Sequence, residues 1–592
     1  MSINETFTDV DIPVEKSGFY KGYSLPIALI SKVSMTLLVL WALIWPASAD
    51  GQLGAWKWSI LSGFNAFYII TVGAFAMFLL VLAVLPSTGK QILGPEGEKP
   101  EFSNFSWFSM MFGAGLGVGL MVYATAEPLS LWGSNPEVVA RNITGSATET
   151  IESAFRFTFL HYGFHAWAIY VVTGLCLAYY AYTKDMPLTI RSALTPLLGR
   201  FSNGIIGHLI DVLGVVATIL GVSVTIGFGI SQFVEGVYAI TGIGWLMNGS
   251  TEAPAPSTVG LITALVTIMA MSILSAVSGV GRGVKYLSNL NLVLSCVLLL
   301  TFIVFGSFTF AMTTYATAFV DYILHFLSLG FNAYSPQSES AFIANLPSAA
   351  RPFASELYSG ATNAWGSFDS FKSALPAEVA LLDEATLSAV YDAGTTGRLF
   401  GWQSGWTTFY WAWWIAFSPF VGLFLARISK GRSVREFIIG AVIAPSLVCF
   451  AWMTLLGGTA IDLELNGTAE GAIAGASFTA KLFVTLQHMI SGDLLAAISI
   501  MCIVLIMTFL VTSADSGILV MNTIMSGGAQ ETGVLHRIIW GVLLTLVIAT
   551  LLIAGGGGLE AIKSAMIIGA LPFTFIMVLM CISLAKAMFI NR

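Results

Sequence analysis

Along this 592-residue chain, apolar positions gather into runs of about 20 or more, separated by polar gaps that are mostly short. A helix crossing the hydrocarbon core of a bilayer needs about 20 such residues. The pattern predicts twelve spans, at 26–46, 63–86, 105–132, 155–182, 207–240, 259–278, 286–312, 402–428, 435–457, 493–513, 535–556 and 561–587. After the seventh, Tyr315–Leu329 reads as an amphipathic helix on the outer surface. The polar segment Asn332–Gly401 follows, and its Pro376–Ala393 part has helical periodicity. A loop that long carries a structural, lid or assembly role.

Composition agrees with the pattern. The chain is 56% hydrophobic and 10% charged, whereas a soluble chain carries about 25% charged residues. The net charge of −7 and the lack of a basic stripe exclude a nucleic-acid partner. The five cysteines (Cys176, Cys296, Cys449, Cys502 and Cys581) stand singly in apolar spans, without metal or redox spacing. The first apolar run is too long, and too weakly basic in front, for a cleaved signal.

Charge orients the spans. Arg427, Lys430, Arg432 and Arg435 fall in one short loop, and the loops Gly249–Thr258 and Gly457–Gly475 carry neither Lys nor Arg. Positive residues stay on the cytoplasmic side, which places both termini there. The expected organisation is a cytoplasmic tail (1–24), two preceding helices (25–88), a first helical unit (105–312), an extracytoplasmic helix and loop (313–401), a second helical unit (402–587) and a short end (588–592).

Four motifs carry candidate chemistry. Glycines stand at 113, 115, 117 and 119 in the third span. Pairs four apart could serve only close helix packing. Four on alternate positions also suit a helix interruption, whose freed carbonyls bind a cation where they line a cavity. Five of the 16 tryptophans lie at 402, 406, 411, 413 and 414. Trp402 and Trp406 suit an interfacial belt. Trp413 and Trp414 sit mid-span, with Phe417 and Tyr410 one turn away, as in aromatic core packing or a cage for a quaternary ammonium. His161 and His165 are a turn apart without a third metal ligand, which favours hydrogen-bonded structural histidines. Thr512 and Ser513 either bond back to their own helix or join an oxygen cage for a hard monovalent cation. Glu127, Asp211 and Asp515 are intramembrane carboxylates and therefore functional candidates, Asp515 as a gate or capping residue.

Together, Phe112–Leu120, Ala126-Glu127-Pro128, His161–Tyr170, Tyr410–Ile415, Ser418–Gly422, Ala426–Ser429 and Thr512–Ser516 resemble the betaine/choline/carnitine transporter (BCCT) family, in order from about Pro26 to Lys586. The resemblance implies an all-α polytopic membrane protein with a LeuT-like core of two inverted five-helix repeats, spans 3–7 and 8–12. It also implies alternating access and a homotrimer in a bacterial inner (plasma) membrane. The family's substrate cage falls on Tyr162, Trp167, Tyr170, Trp413, Trp414 and Phe417, with Leu116 beside it. Tyr162 and Phe417 stand where a betaine carrier is expected to have tryptophan. The family's sodium site falls on Gly113, Leu116, Phe509, Thr512 and Ser513. A second sodium position would use Thr218 and Phe420, although Val222 replaces an expected threonine.

The expected function is uptake of a small zwitterionic or dipolar methylated onium osmolyte by sodium symport. The candidates are glycine betaine, trimethylamine N-oxide, dimethylsulfoniopropionate and carnitine. The glycine segment has no carboxylate to neutralise a net cation, which favours a solute that brings its own negative group. The alternative is a sodium-independent exchanger or a proton-coupled carrier of choline- or carnitine-type substrates. No cofactor is expected beyond the coupling ion, and no nucleophile or metal constellation marks an enzyme.

Overall fold

The computed structural model describes residues 9–115, 117–249, 254–278, 285–363, 368–529 and 531–589. They form a helical protein whose one sheet among them is a two-residue hairpin, Met247–Asn248 with Ala255–Pro256. The principal helices are α1 (Leu25–Ile44), α2 (Pro46–Val84), α3 (Asn104–Gly115), α4 (Val118–Gly133), α5 (Ile151–Tyr162), α6 (Phe164–Ala178) and α7 (Ile205–Thr241). They continue with α8 (Thr258–Ser278), α9 (Lys285–Phe305), α10 (Phe308–Leu324), α11 (Ala354–Asn363), α12 (Glu384–Ala393), α13 (Thr395–Gly405) and α14 (Thr407–Ile428). The last five are α15 (Val434–Leu465), α16 (Lys481–Met489), α17 (Gly492–Met525), α18 (Val534–Ala554) and α19 (Glu560–Phe589).

Among the described residues, eleven helical stretches are long and apolar enough to cross a membrane. The expected third span is missing from that set because it is not one helix. It is split into α3 and α4, each shorter than a span, with Gly117 extended between them at φ −160° and ψ −177°. Leu116 lies outside the described residues. Other boundaries also moved. Pro46 opens α2, which proline tolerates at a first helical turn, so the second helix begins well before residue 63 and runs 39 residues. Helix α15 continues to Leu465, into what read as a loop, and starts on a capping box in which Ser433 and Glu436 bond each other's backbone N–H. Helix α17 continues to Met525, so Asp515 lies within it and is not a cap.

Two kinds of helix make up the bundle. Helices α6, α7 and α14 are buried on nearly every face, as a helix apolar all round must be. Helices α1 and α9 are the least buried of the eleven, as suits lipid contact. Glycine lets the central helices approach closely. A Cβ on Gly422 of α14 would meet Thr173 Cγ2 of α6 at 2.7 Å, and one on Gly457 of α15 would meet Ala124 O of α4 at 2.7 Å.

The segment after α9 is more structured than its polarity suggests. The expected helix over 315–329 starts earlier, at Phe308, and breaks at His325, with Ala311, Ala318 and Tyr322 buried. Beyond it, Phe342, Leu357, Phe371, Leu387 and Tyr391 build a small separate core, with α11 and α12 as its largest helices. This cap docks on α13, where the Arg398 guanidinium donates to the carbonyls of Ala361 (2.8 Å) and Tyr391.

Candidate functional site

The site lies where the broken third helix meets α14. Gly119, two residues past the break, faces the aromatic pair: a Cβ there would stand 3.6 Å from Trp413 Cη2 and 3.9 Å from Trp414 Cη2. The two indoles stack with centroids 4.6 Å apart and planes at 19°. Consecutive residues on a helix do not normally share a face. Here both long side chains bend to the same side, towards the glycine surface that leaves them room.

Each indole is fixed by its N–H. Trp413 is fully buried and donates to Thr225 Oγ1 of α7 at 3.1 Å. Trp414 donates to the backbone carbonyl of His161 at 2.9 Å. That carbonyl is free because helix α5 stops at Tyr162 and Gly163 turns the chain into α6. Only glycine fits at the turn, since a Cβ would meet Phe159 O at 2.3 Å and Phe450 Cζ at 2.5 Å.

Around Trp414 stand rings from α5 and α6. Tyr162 lies edge-on at 5.8 Å, Tyr170 at 6.1 Å, and Trp167 packs on Tyr170 at 5.5 Å. Five of the six residues expected in the cage therefore form one connected aromatic wall. Phe417 is placed differently: its ring neighbour is Phe420, edge-on at 4.9 Å. Trp402 faces the protein interior and not the surroundings, as a belt residue would. It is 1% exposed and donates to Ser134 O.

Behind the wall runs a buried polar network. Glu127 of α4 accepts from Tyr410 of α14, and its other oxygen lies 2.6 Å from His161 Nδ1. With Nδ1–H on the carboxylate, Nε2 is left to accept from Thr407 at 3.0 Å. The hydrogen of Tyr410 is used on Glu127, so Tyr162 donates to the Tyr410 oxygen at 3.1 Å. The histidines thus have hydrogen-bond partners, His165 pairing with Tyr322 Oη at 2.9 Å on the far side of α6. Asp211 pairs with the Arg191 guanidinium at 2.6 Å, and Asp515 accepts from Ser275 of α8 at 2.5 Å. Asn65 of α2 joins α14 to the start of the long loop, accepting from Thr408 and donating to Tyr334 O and Gln403 Oε1. Sequence gave no signal for Asn65, a single polar residue within an apolar run.

The oxygens expected to hold a cation are on α17 and at the break. Gly113 is in the last turn of α3, and Val118 opens α4. A Cβ on Gly229 of α7 would touch both Val118 Cγ1 (2.4 Å) and Leu510 Cδ2 (2.5 Å), so the break and α17 meet at one point. The Thr512 hydroxyl donates back to Thr508 O or Phe509 O, which leaves its lone pairs to accept. Ser513 is partly accessible and Phe509 is buried. Thr218 also bonds back, to Gly214 O. It is one turn from Gly221, whose face touches the Ala416 and Phe417 backbone, which brings Thr218 to the Phe420 level without a hydrogen bond between them among the described residues. No three His, Cys, Asp or Glu side chains gather as a metal group among the described residues.

Accessibility along α14 is one-sided. Trp414, Phe417, Phe420, Phe424 and Arg427 keep partial exposure in an otherwise buried helix, a stripe at helical spacing from mid-helix to its C-terminal end. Tyr410 and Trp413 are fully buried.

Comparison with known proteins agrees with this architecture. The pattern of the BCCT, betaine/carnitine/choline family transporter, matches residues 26–347 and 377–591. The chain is 34% identical to the glycine betaine transporter of Bacillus subtilis over 553 residues, 93% of this chain and 91% of that one. It is 34% identical to glycine betaine transporter 1 of Vibrio parahaemolyticus over 585 residues, 98% and 96% of the two chains. A glycine betaine/proline/choline/ectoine transporter of the same species is 33% identical over 558 residues, 93% and 84%. The chain belongs to the betaine/carnitine/choline transporter family, and is a multi-pass membrane transporter and not an enzyme.

Proposed function

We propose that the protein imports a small zwitterionic or dipolar methylated onium osmolyte of the glycine betaine, trimethylamine N-oxide, dimethylsulfoniopropionate or carnitine class, by sodium symport with alternating access. The observation that carries this reading is the stacked Trp413–Trp414 pair facing Gly119 and flanked by Tyr162, Tyr170 and Trp167. An onium head against such faces gains about 2 kcal/mol or more per cation–π contact once desolvated. The relatives named as glycine betaine transporters support the same class.

Sodium fits the oxygens available. Thr512 offers lone pairs, Ser513 is beside it, and Gly113 and Leu116 would supply carbonyls at the break; these are neutral ligands for a hard monovalent ion. Thr218 with Phe420 is the proposed second position. Bound sodium would stabilise the substrate-ready arrangement of the broken helix.

The proposed organisation is two inverted five-helix repeats, 105–312 and 402–587, in a bacterial inner membrane, with both termini cytoplasmic and three copies assembled. In that orientation the partly exposed stripe from Trp414 to Arg427 runs to the cytoplasmic end of α14.

Uptake into proteoliposomes, with labelled glycine betaine and sodium replaced by potassium, tests the reading. Accumulation that needs sodium supports it, and undiminished accumulation in potassium overturns symport. A thermal-shift panel of the four solutes and choline then selects the substrate.

A further inference from the structure

Helix α9 brings an amide to the proposed cation site. Asn291 is 5% exposed, and its Nδ2 donates to Thr512 Oγ1 at 3.1 Å. Its Oδ1 is buried with no hydrogen-bond partner among the described residues. One turn on, Ser295 is 1% exposed and its hydroxyl is likewise buried without a partner among the described residues. Native proteins leave few such groups unpaired, and each needs an explanation.

The Asn291–Thr512 contact suggests one. Thr512 directs its hydrogen to the carbonyl of Thr508 or Phe509, so the Asn291 N–H occupies a lone pair that a cation would take. The unpaired carboxamide oxygen belongs to the same planar group. A half-turn about χ2 exchanges the nitrogen for that oxygen, and at 3.1 Å two oxygens can share one cation.

We propose that Asn291 is a further ligand of the coupling-cation site, its Nδ2 resting on Thr512 when the cation is absent and its Oδ1 turned to the cation when it is bound. This rests on the sodium-coupled reading above. It adds α9 to the elements that the ion holds together, so that binding draws α9 and α17 onto a common centre.

The test titrates purified full-length protein in detergent with sodium at constant ionic strength, potassium making up the balance, and follows the thermal unfolding midpoint. Asn291→Leu should raise half-saturating sodium ten-fold or more. Asn291→Asp, which keeps the size and adds charge, should lower it at least three-fold. Glycine betaine affinity at saturating sodium should stay within two-fold of wild type in both. Wild-type protein without any sodium response would remove the sodium-coupled reading itself. A wild-type response matched by Asn291→Leu would overturn the role of Asn291 alone. If the leucine variant does not fold, an unchanged sodium response in Asn291→Asp overturns it equally.

Discussion

The indole N–H of Trp414 donates to the backbone carbonyl of His161 at 2.9 Å, across the break between α5 and α6. A side chain on one helix is thereby oriented by a main-chain group on another, independently of the His161 side chain. If Trp414 forms the proposed onium site, removing the ring in Trp414→Ala deletes a cation–π surface worth about 2 kcal/mol, so glycine betaine affinity should fall about 30-fold or more. Trp414→Phe keeps an aromatic face but leaves the carbonyl unpaired, and should weaken binding about 5- to 10-fold. Calorimetric titration at saturating sodium distinguishes the two, and wild-type affinity in Trp414→Phe would show that orientation by His161 contributes nothing.

Gly163 makes that carbonyl available. Its alanine variant would press a Cβ to within 2.3 Å of Phe159 O and 2.5 Å of the Phe450 ring. Backbone cannot yield as a flexible side chain does, so Gly163→Ala should destabilise the protein by several kcal/mol, in the range of overpacked cores. Loss of the monodisperse peak in size-exclusion chromatography is the expected readout, and a wild-type melting temperature would contradict it.

The Glu127 network separates substitution from removal. Glu127→Gln keeps an acceptor for Tyr410 and should be tolerated better than Glu127→Ala, which strands the hydrogens of Tyr410 and His161 in a buried space. Each stranded group costs about 1–3 kcal/mol. Thermal unfolding of the two variants should rank alanine below glutamine by several degrees.

Thr512→Ala removes a proposed sodium ligand and leaves the aromatic wall untouched. Half-saturating sodium for transport should rise about ten-fold, with substrate affinity at saturating sodium preserved, consistent with a ligand whose loss costs about 1.4 kcal/mol. A parallel loss of substrate affinity at every sodium concentration would place Thr512 outside the cation site.

Lys481, between α15 and α17, offers a pH test. Burial lowers its ammonium to about 8 from the ordinary lysine value, with Glu464 opposing; the ammonium donates to Ile473 O and Ala474 O. Below pH 8 folded and unfolded chains are both protonated and the burial penalty is present in full. Between about 8 and the unfolded value near 10.4, the unfolded chain holds more protons and stability rises with pH. Relative to Lys481→Met, wild type should therefore gain in melting temperature as pH passes 8. A constant difference from pH 7 to 10 would contradict the shift.

How much of this was readable in the sequence depends on the range of the interaction. Hydropathy located the spans, because burial in lipid is a property of local composition. The glycines at 113–119 correctly marked a break, since four helix-weakening residues in one run exceed what packing requires. Gly163 gave no such signal, because one glycine in an apolar run looks like any small packing residue. The Glu127–Tyr410 bond joins positions 283 apart in sequence, and no periodicity reports that. Trp402 was read as interfacial from its place at a helix end, but tertiary packing buried it against Phe157. In the long loop, Pro376–Ala393 announced α12, whereas α11, of the same length, was not read from the sequence. Residues 348–376 of that cap also fall outside the family pattern.

The polar network of Tyr162, Tyr410, Glu127, His161 and Thr407 has a consequence for the opposite half of a transport cycle. It joins α4 and α5 to α14, on the side of Trp414 away from the accessible stripe. In the proposed alternating-access cycle, admitting solute from that side would part these helices and break up to four hydrogen bonds. The same movement lets water in, and each broken bond is replaced by one to water, so the net change per bond is only about 1 kcal/mol. An apolar seal of equal area would gain nothing in return when wetted. A hydrated latch of this kind stays firmly shut when dry and opens at low cost once water enters, so in the proposed cycle small differences in ion or solute binding would suffice to decide which side is open.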